Sequence, residues 1–394
     1  NFDTSTGKEL KFTDVVKDTD AFCELLDEAM EEDFGELELS KASEYLKSLN
    51  NGDFTGFAWT LNAEGLTVYF DTYELGDYDA GAQIVTVYFD EGESIFESKY
   101  VKAEKDYVFP VFHDIMTLRL DVDDDGERDM VYINNNYQVY EVEGGEYKQT
   151  AGAVVISGMN RLEFEGFESR AYIVKKEGKY YMYLFMNEVD DATLLYRIDI
   201  NTMEQVEEDY IVAELSTRYS NWVENDDGER NTAQEETFTD PDSFVISKRF
   251  DMLSTITGEK EFEVGNDGYP VSKSERYKMT SDMVLHTKGD VPCSLVDGDG
   301  NVKDSDTIPA DSYILFIYSD GDSFVDVRVI DKEYVEDNRW EWSEEPYYFL
   351  KDGSLLDYDG DCYRITTQRD EENWSTTIDG VGVDELLEGM RFAG

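Results

Sequence analysis

Apolar positions recur at helical spacing only near the start of the chain. In DAFCELLDEAMEEDF (20–34), Phe22, Leu25, Leu26, Ala29 and Met30 fall on one face, with Asp20 standing where an N-cap belongs. A second helix is predicted from Ser40 to Leu49, where Ala42, Tyr45, Leu46 and Leu49 keep the same period and Asn50-Asn51-Gly52 ends it. Beyond it the pattern turns to alternation and short apolar runs. FAWTLNAEGLTVYF (57–70) predicts a hairpin turning at Ala63-Glu64-Gly65, and AQIVTVYF (82–89) predicts another strand. From 105 to 275 the runs DMVYINN, AGAVVIS, RAYIVKK, YYMYLFM, LLYRIDI and FVISKRF predict a sheet-rich domain. Within it, strand, acidic turn and strand in GKYYMYLFMNEVDDATLLYRIDINTMEQV resemble part of a propeller blade, although no repeat of ~40 residues runs through the sequence. The polar stretch from Asn221 to Pro241 is expected to be a long exposed loop.

Composition adds constraints. The chain has 394 residues, of which 40% are hydrophobic, enough for several cores. It carries 91 Asp and Glu against 34 Lys and Arg, a formal charge of -57. That charge opposes nucleic acid and anionic membrane surfaces, whose affinity depends on a basic, phosphate-neutralising face. Disorder is opposed by 27 Tyr, 22 Phe and 5 Trp, which supply apolar area that disordered acidic chains lack. No apolar run reaches the ~18 residues of a membrane span, so no insertion is expected in this chain. The first residue is Asn, which suggests that something upstream was removed. The cysteines, Cys23, Cys293 and Cys362, show no zinc spacing; Cys293 and Cys362 are the pair that a disulfide would join if their geometry allowed it.

One acidic stretch has an ordered spacing. In LRLDVDDDGERDMVYI (118–133), Asp121, Asp123, Asp125, Gly126 and Asp129 put carboxylates at calcium-loop positions 1, 3, 5 and 9 and a glycine at 6, with the carbonyl of Glu127 at 7. An EF-hand also needs a bidentate Glu at position 12, where this chain has Tyr132. The flanking runs are strand-like, so the reading is a calcium-binding β-hairpin, with a plain acidic β-turn as the competing one. DGDGN (297–301), SDGDS (319–323) and DYDGD (357–361) lack the full alternation and are expected to be turns. Neither His113 nor His286 sits in a catalytic or metal spacing, and no GxSxG, P-loop or dinucleotide fingerprint occurs.

Two resemblances complete the reading. NFDTSTGKELKFTDVV at the start, the two helices and EGLTVYFDTYELGDYDAGAQIVTV (64–87) resemble the RsiV-like domain of extracellular anti-sigma factors and peptidoglycan deacetylases. The residues that carry the likeness are Tyr69-Phe70, Tyr73-Glu74-Leu75, Tyr78, Ala80-Gly81 and Val85, with Asp77 where that family has Pro. It covers roughly residues 1 to 101 and implies an extracytoplasmic location and a binding or sensing role. Physically, Tyr69, Tyr73 and Tyr78 are expected to pack on the helices, while Gly76 and Gly81 turn the linker; the alternative for Tyr73 and Tyr78 is contact with a ligand. Between Tyr277 and Val335, MVLHT, VPCSLVDGDGNV and DTIPADSYILFIYSDGDSFVDVRVI resemble a bacterial Src-homology-3-like barrel. There Ile314, Phe316 and Tyr318 are expected on one strand face, with Phe324, Val327 and Val329 as partners.

The expected architecture is therefore mainly β and multidomain: an α+β domain at 1–104, a β-rich, propeller-like domain with the calcium hairpin at 105–275, a Src-homology-3-like barrel at 276–336 and a β extension with a short helix (VDELLEGM) at 337–394. The expected function is non-catalytic binding or sensing by a secreted or surface-anchored protein of a bacterial envelope. Its expected partner is a cell-wall component or a cationic protein such as lysozyme. The competing readings are a cell-wall glycan hydrolase using paired carboxylates and a structural accessory subunit.

Overall fold

The computed structural model describes the chain except residues 1, 4–7, 50–52, 93, 102–105, 112–114, 144–145, 167, 188–192, 204–209, 213, 216–217, 225–229, 236–237, 339–345, 352, 371–374 and 390–394, and describes no side chains at 2–3, 136–151, 168, 204–237, 338, 354 and 370. The architecture is mainly β, with an α+β N-terminal part. The chain divides into two compact units, Asn1–Asp191 with Tyr196–Tyr210, and Ala192–Leu195 with Ile211–Gly394.

In the first unit, helices α1 (Thr19–Phe34) and α2 (Ala42–Ser48) form where the apolar period predicts them. The N-cap differs: Asp18, not Asp20, accepts the backbone N–H of Ala21 at 3.0 Å. Strands β1 (Ala58–Leu61), β2 (Gly65–Phe70) and β3 (Gln83–Tyr88) make an antiparallel sheet, and Asn62 closes the first turn by accepting the N–H groups of Glu64 and Gly65. Phe22, Leu26 and Leu46 from the helices meet Leu66, Val68, Val85 and Val87 from the sheet in one core.

A second core lies between two further sheets. The four-stranded sheet is a meander of β5 (Ile115–Leu120), β6 (Asp129–Glu143), β7 (Glu146–Ser157) and β8 (Asn160–Glu165). The other has five strands, ordered β12 (Tyr210–Val212), β11 (Thr193–Asp199), β10 (Lys179–Asn187), β9 (Glu168–Lys176) and β4 (Tyr107–Val111). Leu118, Leu120, Val131 and Ile133 of the first sheet share a core with Phe109, Ile173, Met182 and Leu184 of the second. Two sheets close on one core, and the four-stranded meander is the kind of sheet from which propeller blades are built.

The second unit is built around a long antiparallel sheet in which β13 (Met283–Thr287), β16 (Tyr313–Ser319), β17 (Phe324–Ile330), β18 (Cys362–Thr366), β14 (Val291–Val296) and β15 (Val302–Ile308) are successive neighbours. Cores lie on both faces. Leu285, Ile314, Phe316, Val325 and Ile365 enter one, and Val284, Leu315, Ile317, Val296 and Cys362 enter the other. Residues after 337 thus share cores with those before, because β18 lies between β14 and β17. A bulge between Phe316 and Tyr318 moves Tyr318 off the face of Ile314 and Phe316 and onto the opposite core, contrary to the alternation read from the sequence. Val329, an expected partner, is 38% exposed. The supposed loop after Asn221 is corrected too: Arg218–Glu224 pairs antiparallel with Arg230–Glu235.

Cys23, Cys293 and Cys362 are free thiols. Cys362 pairs in register with Val296, three positions along β14 from Cys293. An odd offset puts the two thiols on opposite faces about 10 Å apart along the strand, which a disulfide does not span.

Candidate metal loop and tyrosine pair

The acidic loop connects two adjacent strands, with Leu120 opposite Asp129 at its mouth. Alternation along β5 continues past the strand end: Met116, Leu118, Leu120 and Val122 all enter the core. Val122 thereby anchors the loop and aims Asp121 and Asp123 the other way. The turn needs positive φ at Asp124 (61°) and Gly126 (88°). A Cβ at Gly126 would meet nothing within 4 Å, so the demand there is conformational and not spatial. Asp121 accepts the N–H groups of Asp125 (3.0 Å) and Gly126 (3.1 Å), and Asp125 accepts that of Glu127 (2.8 Å).

One ligand oxygen from each of Asp121, Asp123 and Asp125 lies within 4.8 Å of the others. Asp121 is half-buried, and Asp123 and Asp125 are exposed. All the donors are hard oxygens, and three carboxylates contribute up to six of them, a set that fits calcium better than a softer ion. Asp129 and the Glu127 side chain stand outside this converging set. Asp129 already belongs to the β5–β6 ladder, which fixes the direction of its side chain.

Two arginines tie this hairpin to the α+β part. Arg119 on β5 pairs with Glu32 (2.8 Å) and Asp33 (2.5 Å) of α1, and its backbone N–H donates to the Tyr88 hydroxyl at 2.8 Å. Burial raises the Asp33 carboxyl above its ordinary range even against the opposing pull of Arg119. Arg128, in the loop, lies 3.9 Å over the Tyr88 ring and pairs with Asp90, and its guanidinium is 3.9 Å from Glu64. Glu64 in turn accepts from the Tyr180 hydroxyl (2.8 Å), which also receives Lys175 (2.7 Å). Burial first, then Glu64, pushes the Tyr180 hydroxyl far above its ordinary value, so it stays protonated and acts as a donor. This network escaped the sequence reading, in which Glu64 was only a turn residue.

Between β2 and β3 the chain is pinned by Leu75, which is buried and whose carbonyl accepts from Ser40 (2.7 Å). Glu74 accepts the Asp71 N–H (2.8 Å) and the Tyr45 hydroxyl. Gly76 passes so close to α2's approach that a Cβ would stand 2.8 Å from Leu39, and Gly81 turns at φ 69°. Tyr69 is half-buried and bonded to Thr60 at 2.7 Å. Tyr73 and Tyr78, expected to pack on the helices, are instead 68% and 71% exposed, their rings 6.0 Å apart and inclined by 39°. Leu75 takes the buried position that they would have filled.

His286 bridges Asp311 (2.9 Å) and Glu388 (3.2 Å) beside the rings of Tyr313 and Tyr348. His113 lies outside the described residues. The acidic stretches at 297–301 and 319–323 are hairpin turns, closed by Asn301 on Asp297 and by Asp322, Ser323 and Phe324 on Asp320. Among the described residues no helix is long and apolar enough to cross a membrane. No family model, no curated protein and no solved structure matches the chain.

Proposed function

We propose that this chain is a non-catalytic binding or sensing protein of a bacterial envelope, extracytoplasmic and secreted or surface-anchored, whose RsiV-like N-terminal part meets its partner and whose β5–β6 loop holds calcium. The observation that carries the binding reading is the tyrosine pair. Tyr73 and Tyr78 stand outward on a segment that Leu75, Glu74 and Gly76 hold in place, so two aromatic faces are presented with little ordering left to do on contact. A charge of -57 favours a cationic partner such as lysozyme. In this reading Asp121, Asp123 and Asp125 hold the ion together with the Glu127 carbonyl, Asp129 stays outside the set, and the ion neutralises the carboxylates' mutual repulsion. The second resemblance, to a Src-homology-3-like barrel, adds a bracing or ligand-binding module in the C-terminal unit.

Titration calorimetry with lysozyme at 0.15 M salt, where the Debye length is about 8 Å, separates a specific contact from diffuse attraction. Saturable association that is weakened in Tyr73→Ala/Tyr78→Ala is expected. Because both side chains are exposed, the variant should unfold within about 0.5 kcal/mol of the wild type. Association that vanishes at this salt, or is the same for both proteins, overturns the partner assignment.

A further inference from the structure

The C-terminal unit contains a groove of about 630 Å³. Its floor is made by Arg276, Arg364, Tyr318 and Phe324, and its rim carries Glu275 and Asp299. Beneath the floor is Asp326, whose side chain has no exposed surface. Asp326 faces Arg364 across the β17–β18 ladder and takes a two-pronged pair from it, Nε at 2.7 Å and Nη2 at 2.9 Å. Arg276 reaches the same carboxylate with Nη1 at 3.1 Å and donates Nη2 to the Gly298 carbonyl at 2.6 Å.

Both guanidiniums are locked. Arg364 lies 3.6 Å over the Phe324 ring, and Arg276 lies 4.4 Å over Tyr318 with Gly300 so close that a Cβ there would stand 2.9 Å from its Cζ. Two guanidiniums thus share one buried carboxylate, which leaves one positive charge beside Asp326, in a groove whose lining also holds Lys273, Glu275, Asp299 and Asp320. Each side chain is 16% exposed, and Arg364 Nη1 has no acceptor among the described residues. That free donor edge lies in the groove lining, where a carboxylate can take a charge-assisted hydrogen bond from it. The rim sets a second condition. Glu275 and Asp299, with the Asp320 turn beside them, repel a polyanion but attract an ammonium.

We propose that this groove binds a short peptide with free termini, its carboxylate on the Arg276–Arg364 edge, its ammonium among the rim carboxylates and its backbone against Tyr318 and Phe324. The proposal is independent of the calcium loop and the tyrosine pair, which belong to the other compact unit.

Calorimetry of the full chain at 0.15 M salt with four probes tests it: Ala-Ala, Ala-Ala amide, N-acetyl-Ala-Ala and inorganic phosphate. Ala-Ala is expected to bind, the amide to lose at least about tenfold through loss of the charge-assisted pairs, and the acetylated form to lose a few-fold. Arg364→Lys keeps the charge on Asp326 but removes the planar fork, and should weaken Ala-Ala about tenfold. Glu275→Gln/Asp299→Asn changes only exposed rim groups and keeps the fold; it should bring Ala-Ala down to the level of the acetylated probe. No binding of Ala-Ala at 10 mM, a preference for phosphate, or affinity unchanged in the rim variant would each overturn the proposal and leave the triad as a brace within the sheet.

Discussion

Burial sets the chemistry of the thiols residue by residue. Cys23 and Cys293 are each pushed up to about 11 and Cys362 to about 12, desolvation being the largest cause in all three. A thiol with so little thiolate at neutral pH reacts slowly. The folded protein is expected to resist iodoacetamide at pH 7.5, and the unfolded chain to yield three modified cysteines per molecule by mass without reductant; a single modified cysteine, Cys23, would mean that Cys293 and Cys362 are bonded after all. At this scale the sequence was legible where spacing fixes geometry. Asp121, Asp123 and Asp125 converge as their alternation implied, since the flanking strand period fixes where each side chain points. It was less legible where long-range contacts decide. Nothing local says that Leu75 and not Tyr73 takes the buried position, or that Arg276 and Arg364, so far apart in the chain, share Asp326.

Elements follow the same division. Helix α1 was readable because its apolar face recurs every three to four residues, yet its cap lies two positions before the expected Asp20, which is spent on Lys47 at 2.8 Å. Asp18→Ala should therefore destabilise the protein by about 1 kcal/mol in urea unfolding, the usual cost of losing a cap. Asp20→Ala should cost less. The reverse order would contradict the assigned cap. In β16 the run YILFIY is apolar on every position because both faces of that sheet are covered, so periodicity could not reveal the bulge that displaces Tyr318. In the paired strands Arg218–Glu224 and Arg230–Glu235, polar residues form a ladder that pattern alone assigns to a loop. Pairing across a sheet supplies backbone partners whatever the side chains are.

For the whole molecule, the excess of acid is the dominant fact, and the account assigns it a local use. A charge of -57 repels itself throughout the fold, and the β5–β6 loop is where a divalent cation would relieve repulsion among converging carboxylates. Arg119 and Arg128 connect that loop to α1 and to Tyr88, so holding the loop should hold the surrounding unit. Sheet-rich architecture with an α+β start was visible in the apolar pattern; which two sheets share a core was not, since it depends on long-range contacts. The most direct test is thermal unfolding in chelator and in calcium at 0.15 M salt, comparing the wild type with Asp123→Ala/Asp125→Ala. At a calcium concentration tenfold above the dissociation constant, binding stabilises the wild type by roughly 1.4 kcal/mol. For a unit of this size that raises its melting temperature by roughly 3–6 °C. The account predicts that rise in the wild type and little or none in the variant; an equal rise in both would mean that calcium acts only on the diffuse charge, and would contradict it.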